Sequence, residues 1–159
     1  MSEETKSFGD HLVRRGVISS DQLRNALQEQ KRTGAKLEQI LVRLKYADEN
    51  RIFQSLAEYS DLPFVELDTY MIDEKVVNLI PEELARRHRL IPLFKIGNTL
   101  TIAMADPLDI LALDEVRDKT KTDVEIAIST EENIKKAIDQ HYGFGESMLE
   151  KTLPEYAKG

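Results

Sequence analysis

Displaced by 29 residues, the front of this 159-residue chain lies on itself, and that internal repeat restricts the fold more than any other feature of the sequence. Phe8 falls on Leu37, Leu12 on Leu41, Val13 on Val42, Leu23 on Ile52 and Leu27 on Leu56. Other positions change character in the same register: Gly9 becomes Glu38, Gly16 becomes Lys45 and Gln30 becomes Tyr59. The apolar skeleton is duplicated, while the small and polar positions are not.

Each copy reads as helix, turn, helix. In "SFGDHLVRRGVISSDQLRNALQEQ", Phe8, Leu12 and Val13 make a short amphipathic helix that stops before Gly16. Ser19 and Gln22 form a capping box, in which the serine hydroxyl accepts from the Gln22 amide and the glutamine side chain reaches back. Ile18 before the cap and Leu23 after it have the spacing of a hydrophobic staple. Leu23, Ala26, Leu27 and Gln30 follow one helix face until Gly34 supplies a stop. The second copy, "KLEQILVRLKYADENRIFQSLAEY", has Asp48 placed to cap its second helix.

After Ser60 the texture changes. "LPFVEL" is a short extended segment held by Pro63, and "DEKVVNLIPEELARRHR" gives two short helices separated near Pro81. "LIPLFKIGNTLTIAMAD" contains two apolar runs joined at Gly97-Asn98, the signature of a hairpin. In "DPLDILALDEVRDKT" the expected helix is capped by Asp106, takes Pro107 as its first residue and turns Ile110, Leu113 and Val116 inward. "DVEIAIS" alternates as a strand, and Thr130 with Asn133 opens a last helix that Gly143 ends. The fold class is therefore α+β: a helical subdomain of tandem helix-turn-helix units over 1–60, then a small α/β subdomain over 61–143 with a sheet of three or more strands. Residues 144–159, interrupted by Pro154, read as a tail or linker.

Charge is unevenly placed. The chain carries a formal net charge of −7, yet residues 1–60 come to +1 and the remainder to −8. An anionic ligand would be favoured by the front third and repelled by the rest. The overall sign gives no bulk attraction to nucleic acid or anionic lipid. The absence of cysteine excludes a disulfide framework and thiolate metal sites, and no apolar run reaches the roughly 18 residues of a membrane span. A soluble, cytoplasmic protein without direct membrane insertion is expected.

Enzyme chemistry finds little to stand on. The phosphate cradle G-x-x-x-x-G-K-[ST] and the nucleophile elbow G-x-S-x-G are missing, so no catalytic residue is assigned. His11, His88 and His141 lack metal-ligand spacing and read as surface or structural groups, and no metal is expected. Asp106, Asp109 and Asp114 look like an acidic cluster but are best explained by helix capping and the helix dipole. The "RRHR" run, Arg86 to Arg89, has no interleaved aromatics and reads as a solvated helix end rather than a nucleic-acid contact. The Gly16 turn keeps two readings. Arg14 and Arg15 stand before it and the amides opening the next helix follow, which suits a phosphate. Equally, Gly9 and Gly16 allow close helix contact and a left-handed cap.

Together, "FGDHLVRRGVISSDQLRNALQEQ", "SLAEYSDLPFVEL", "IPLFKIGNTLTIAMADPLDILALDEVR" and "EENIKKAIDQHYG" resemble the N-terminal domain of the assembly ATPases of type II secretion and type IV pilus systems, including the MshE-like subgroup. The resemblance covers about residues 7–143. It implies a non-catalytic adaptor or regulatory domain, whose partner is a membrane-platform protein of the machinery. In the MshE-like subgroup it further implies cyclic di-GMP as a regulatory ligand, with no other cofactor, bound by two tandem motifs of the form R-L-G-x-x-L-[LVI]-x-x-G-[LVI]-[LVI]-x-x-x-x-L-x-x-x-L-x-x-Q.

The first motif keeps Gly9, Leu12, Val13, Gly16, Val17, Ile18, Leu23, Leu27 and Gln30, with Arg14 beside the turn; Phe8 replaces its leucine and Ser7 its arginine. The second keeps Leu37, Leu41, Val42, Ile52 and Leu56, with Lys36 in place of arginine and both glycines and the glutamine lost. A lysine offers a point charge where arginine offers a bidentate fork. Cyclic di-GMP binding is therefore expected to be weak or absent, with Lys6 and Lys36 as substitutes for the missing arginines. Two functions follow as alternatives: a protein-interaction module of a secretion or pilus motor, or a cyclic di-GMP sensor with a degenerate second motif.

Overall fold

The computed structural model describes residues 3–142, with side chains from Phe8 onward; Gly143 and the expected tail over 144–159 lie outside the described residues. Among those residues, eight helices and one three-stranded sheet give an α+β fold, in two units that divide between Phe64 and Val65.

The first unit consists of α1 (Glu3–Arg14), α2 (Ser20–Thr33), α3 (Leu37–Arg43) and α4 (Glu49–Ser60). Its boundaries follow from local chemistry. The Ser19 hydroxyl accepts from the Gln22 amide at 3.1 Å while the Ser19 amide donates to Gln22 Oε1 at 2.9 Å, completing the capping box. Gly34 ends α2 in the left-handed region, its amide bonded to the Gln30 carbonyl. Asp48 does occupy the N-cap of α4, but its side chain makes no capping bond, so that helix start relies on backbone geometry alone.

The two turns inside the repeat are the same turn. At the end of α1, Gly16 sits at φ +74°, its amide reaches Val13 O (3.0 Å) and the Val17 amide reaches Leu12 O (2.9 Å). Twenty-nine residues on, Lys45 sits at φ +61°, its amide reaches Val42 O (3.0 Å) and the Tyr46 amide reaches Leu41 O (3.1 Å). Both are Schellman closures, and both draw the chain back so that the next helix folds onto the previous one. The second copy does this without glycine. The helices then pack α1 against α4 and α3 against α2, enclosing Leu12, Ile40, Leu41, Ile52 and Phe53, all essentially inaccessible to solvent.

The second unit opens at Val65, whose amide donates to Ile128 O (2.9 Å) and whose carbonyl accepts from Ser129 Oγ (3.0 Å). It continues through α5 (Glu74–Val77), α6 (Glu82–His88), β1 (Leu90–Ile96), β2 (Thr99–Met104), α7 (Ile110–Thr120), β3 (Asp123–Ile128) and α8 (Glu131–His141). The strand order is β1-β2-β3, with β1 antiparallel to β2 and β3 parallel to it. In the two-residue hairpin loop only Gly97 has positive φ (+60°), the requirement of a turn with glycine at its first central position. Pro92 is tolerated because β1 is an edge strand, and it adjoins a register shift between Pro92 and Phe94. Leu100 to Met104 are all buried, as expected for the central strand.

The start of α7 departs from the sequence reading. Asp109, not Asp106, is the cap and accepts from the Ala112 amide at 3.1 Å. Asp106 instead accepts from the Leu108 amide at 3.0 Å, so Asp106 to Asp109 form an Asx-type turn that delays the helix past Pro107. The inward face becomes Ala112, Leu113 and Val116, and Ile110 is left 60 % exposed. At the far end, Thr130 caps α8 by accepting from Asn133 N (3.1 Å). The Tyr142 hydroxyl proton is shared between Val77 O (3.0 Å) and Ile80 O (2.8 Å), and burial raises the pKa of that phenol.

The repeated turn makes paired predictions for urea unfolding. Lys45→Gly relieves the left-handed strain and is expected to stabilise the protein by about 0.5–1 kcal/mol. Gly16→Ala introduces the same strain in the first copy and is expected to cost about 1 kcal/mol. Equal and small effects of one sign at both sites would show that the two turns are not equivalent.

Candidate functional site

Most of the motif positions are core. Leu12, Val17, Ile18, Leu23, Leu37 and Leu41 are buried, and Val13, Leu27 and Val42 are half-buried. Gly9 faces Leu23 so closely that a Cβ at that position would lie 2.5 Å from Leu23 Cδ1. Its missing side chain is therefore used by helix packing, at the α1–α2 crossing. Gly16 has open space around it and is needed for its backbone angle. Arg14 and Lys36 are exposed. Gln30 donates from Nε2 to Ala35 O at 3.2 Å, and its Oε1 is buried with no hydrogen-bond donor among the described residues.

The amides opening α2 are partly committed. Ser19 takes the Gln22 amide, and Asp21 already places a carboxylate in the first turn. That arrangement leaves less for an external phosphate than the sequence suggested.

The polar surface of the first unit gathers instead on α4. Glu58 accepts from Arg15 through Nε at 3.0 Å and through Nη2, and His11 Nε2 lies 3.1 Å from the same carboxylate. The hydrogen bonds from Arg15, followed by those from His11, hold the Glu58 carboxyl below its ordinary pKa. Beside this cluster a cleft of about 330 Å³ is lined by Arg15, Val17, Arg51, Gln54, Ser55 and Glu58. Of these only Arg15 and Val17 were singled out from the sequence. The signal for the others lay in the repeat, where polar positions differ between copies.

In the second unit the histidines and the basic run are tied to carboxylates. Arg86 bonds Glu82 (2.8 Å) and Asp139 (2.7 Å), Arg87 bonds Glu115 (3.0 Å), His88 contacts Glu115 (2.5 Å), and His141 pairs with Glu74. The His88 hydrogen bond is the main reason Glu115 titrates below its ordinary value. A smaller cleft, about 170 Å³, is lined by Arg86, Arg89, Lys135 and Ile138. No group of three or more His, Cys, Asp or Glu is arranged to hold a metal among the described residues. None of the helices described is long and apolar enough to cross a membrane. Among the described residues, exposed apolar side chains adjoin in sequence at the turn into α7, where Leu108, Ile110 and Leu111 are 64 %, 60 % and 74 % exposed.

These features have known counterparts. The chain is 35 % identical over 139 residues to the type IV pilus assembly ATPase PilB of Thermus thermophilus, covering 86 % of this chain and 16 % of that protein. It is 31 % identical over 135 residues to PilB of Myxococcus xanthus, covering 85 % and 24 %. The chain thus spans a quarter or less of these relatives. Among solved structures, one of MshE with cdg, cyclic di-GMP, superposes with a TM-score of 0.76 at 34 % identity, covering 85 % of this chain and 98 % of that one. The N-terminal domain of XpsE shares the fold at a TM-score of 0.71 and 21 % identity, with 90 % and 99 % coverage. Residues 60–148 match the MshEN domain, and with that match and the MshE superposition the chain belongs to the MshEN domain family, in the company of type IV pilus and type II secretion ATPases.

Proposed function

We propose that this chain is a non-catalytic adaptor and regulatory domain of a secretion or pilus motor, acting in the cytoplasm by docking onto a membrane-platform protein. The observation that carries the reading is the exposed apolar turn of Leu108, Ile110 and Leu111. Neighbouring apolar side chains left in water at the head of a helix favour contact with a partner, since about 25 cal/mol is gained per Å² of apolar surface covered. Asp106, Asp109 and Asp114 surround them in sequence within a stretch whose net charge is −8, so the matching surface is apolar at its centre and cationic at its rim. Relatives bearing the ATPase name extend far beyond the length of this chain, which is consistent with a module that positions an engine rather than being one.

The test is calorimetry with the cytoplasmic part of a cognate platform protein. Binding at or below about 100 μM is expected, weakened at least tenfold by the double change Ile110→Asp and Leu111→Asp, which alters exposed groups and leaves the fold unchanged. No heat of binding at that concentration counts against docking.

A second reading is a cyclic di-GMP sensor. It is favoured by the likeness to MshE with cyclic di-GMP and by the buried Gln30 Oε1, an acceptor in want of a donor beside the link between the two copies. Against it stand Ser7 and Lys36 at the positions where the motif has arginine. The expected result of titrating the native chain with cyclic di-GMP is no saturation below about 1 mM. Saturation in the micromolar range, abolished by Gly16→Leu in a folded protein, would install the sensor reading in place of the adaptor's silent motif.

A further inference from the structure

The positions that line the 330 Å³ cleft on α4 have counterparts in the other copy of the repeat, where a tyrosine stands among them. Under the 29-residue displacement, Val17 corresponds to Tyr46, Gln54 to Asn25, Ser55 to Ala26 and Arg51 to Gln22. In the α2–α3 half, the Tyr46 hydroxyl reaches back to Asn25 Nδ2 on α2, a long contact of 3.5 Å. In the α1–α4 half the tyrosine is replaced by Val17, which is buried and stops short of that space.

The groups around that position have changed with it. Ser55 is 9 % exposed and lines the cleft, placing a hydroxyl where the other copy has the methyl of Ala26. Arg51, at the same cleft, makes no ion pair among the described residues. The other cation there, Arg15, is occupied by Glu58, and His11 shares that carboxylate, so the acid at the rim is already neutralised and Arg51 faces the cleft with its charge unspent. A guanidinium plane can both stack on a ring and grip an oxyanion.

We propose that this cleft is a binding site for a small aromatic anion: a flat ring lies over Val17, where the other copy has the Tyr46 ring, and its phosphate or carboxylate group takes hydrogen bonds from Arg51 and Ser55. Its volume lies at the lower end of the range for small-molecule sites, which suits one ring with one charged group. The site shares only Val17 with the cyclic di-GMP motif positions and stands or falls independently of either reading of function.

The experiment is a ¹H–¹⁵N NMR titration of the whole chain with phenyl phosphate, alongside inorganic phosphate and phenol. Saturable shifts centred on Val17, Arg51, Gln54 and Ser55 are expected, with a dissociation constant of about 1 mM and at least tenfold weaker binding of either fragment alone. Arg51→Glu, at an exposed position, is expected to weaken binding tenfold or more, and Ser55→Ala severalfold. Val17→Tyr, which installs the residue found in the second copy, is expected to block the site. The proposal is overturned by the absence of saturation at about 20 mM, by phosphate or phenol binding as well as phenyl phosphate, or by an unchanged titration in folded Arg51→Glu and Ser55→Ala.

Discussion

Two residues of left-handed backbone set the architecture of the first unit. Gly16 and Lys45 close their helices through the same pair of hydrogen bonds, and each closure swings the chain so that the following helix returns along a packed face. Without that reversal, Leu12 and Leu41 could not be buried by partners that lie many residues later in the chain. Glycine performs the turn at no steric cost, whereas lysine performs it against a penalty of about 1–2 kcal/mol. That the geometry survives the loss of glycine indicates that tertiary burial, rather than local preference, decides the turn in the second copy.

The same packing accounts for the apolar positions shared by the two copies. Leu12, Leu23, Leu37 and Leu41 are core residues, and a Cβ at Gly9 would force the Leu23 side chain to shift. Their removal would cost stability whether or not any ligand binds. Lys36 is exposed, and an exposed cation contributes little to folding. Ser7 and Lys36 thus stand where function alone would preserve arginine, while the apolar frame is held by packing.

Much of the fold was legible because its signals are local. The capping box at Ser19, the hairpin at Gly97-Asn98, the break at Pro81 and the cap at Thr130 each need only a few neighbouring residues, and each is present. The start of α7 was misplaced because Asp106 and Asp109 are both competent caps, and the choice between them depends on how the chain leaves β2. The polar cluster of His11, Arg15 and Glu58, and the cleft beside it, were not foreseen. They join residues more than forty positions apart, and periodicity reports which face of a helix is buried without saying which polar groups meet across a contact. Substitutions between the two copies, above all Tyr46 to Val17 and Ala26 to Ser55, are where that information resided.

In the proposed reading the front helices keep the apolar frame of a dinucleotide motif without its arginines. Restoring them tests this directly: calorimetric titration of cyclic di-GMP into the double variant Ser7→Arg, Lys36→Arg, beside the native chain. A gain of at least tenfold in affinity at unchanged thermal stability is the result predicted, because each arginine adds a bidentate fork where the native chain has a hydroxyl or a point charge. Tight binding by the native chain that the two arginines leave unaltered would contradict the account.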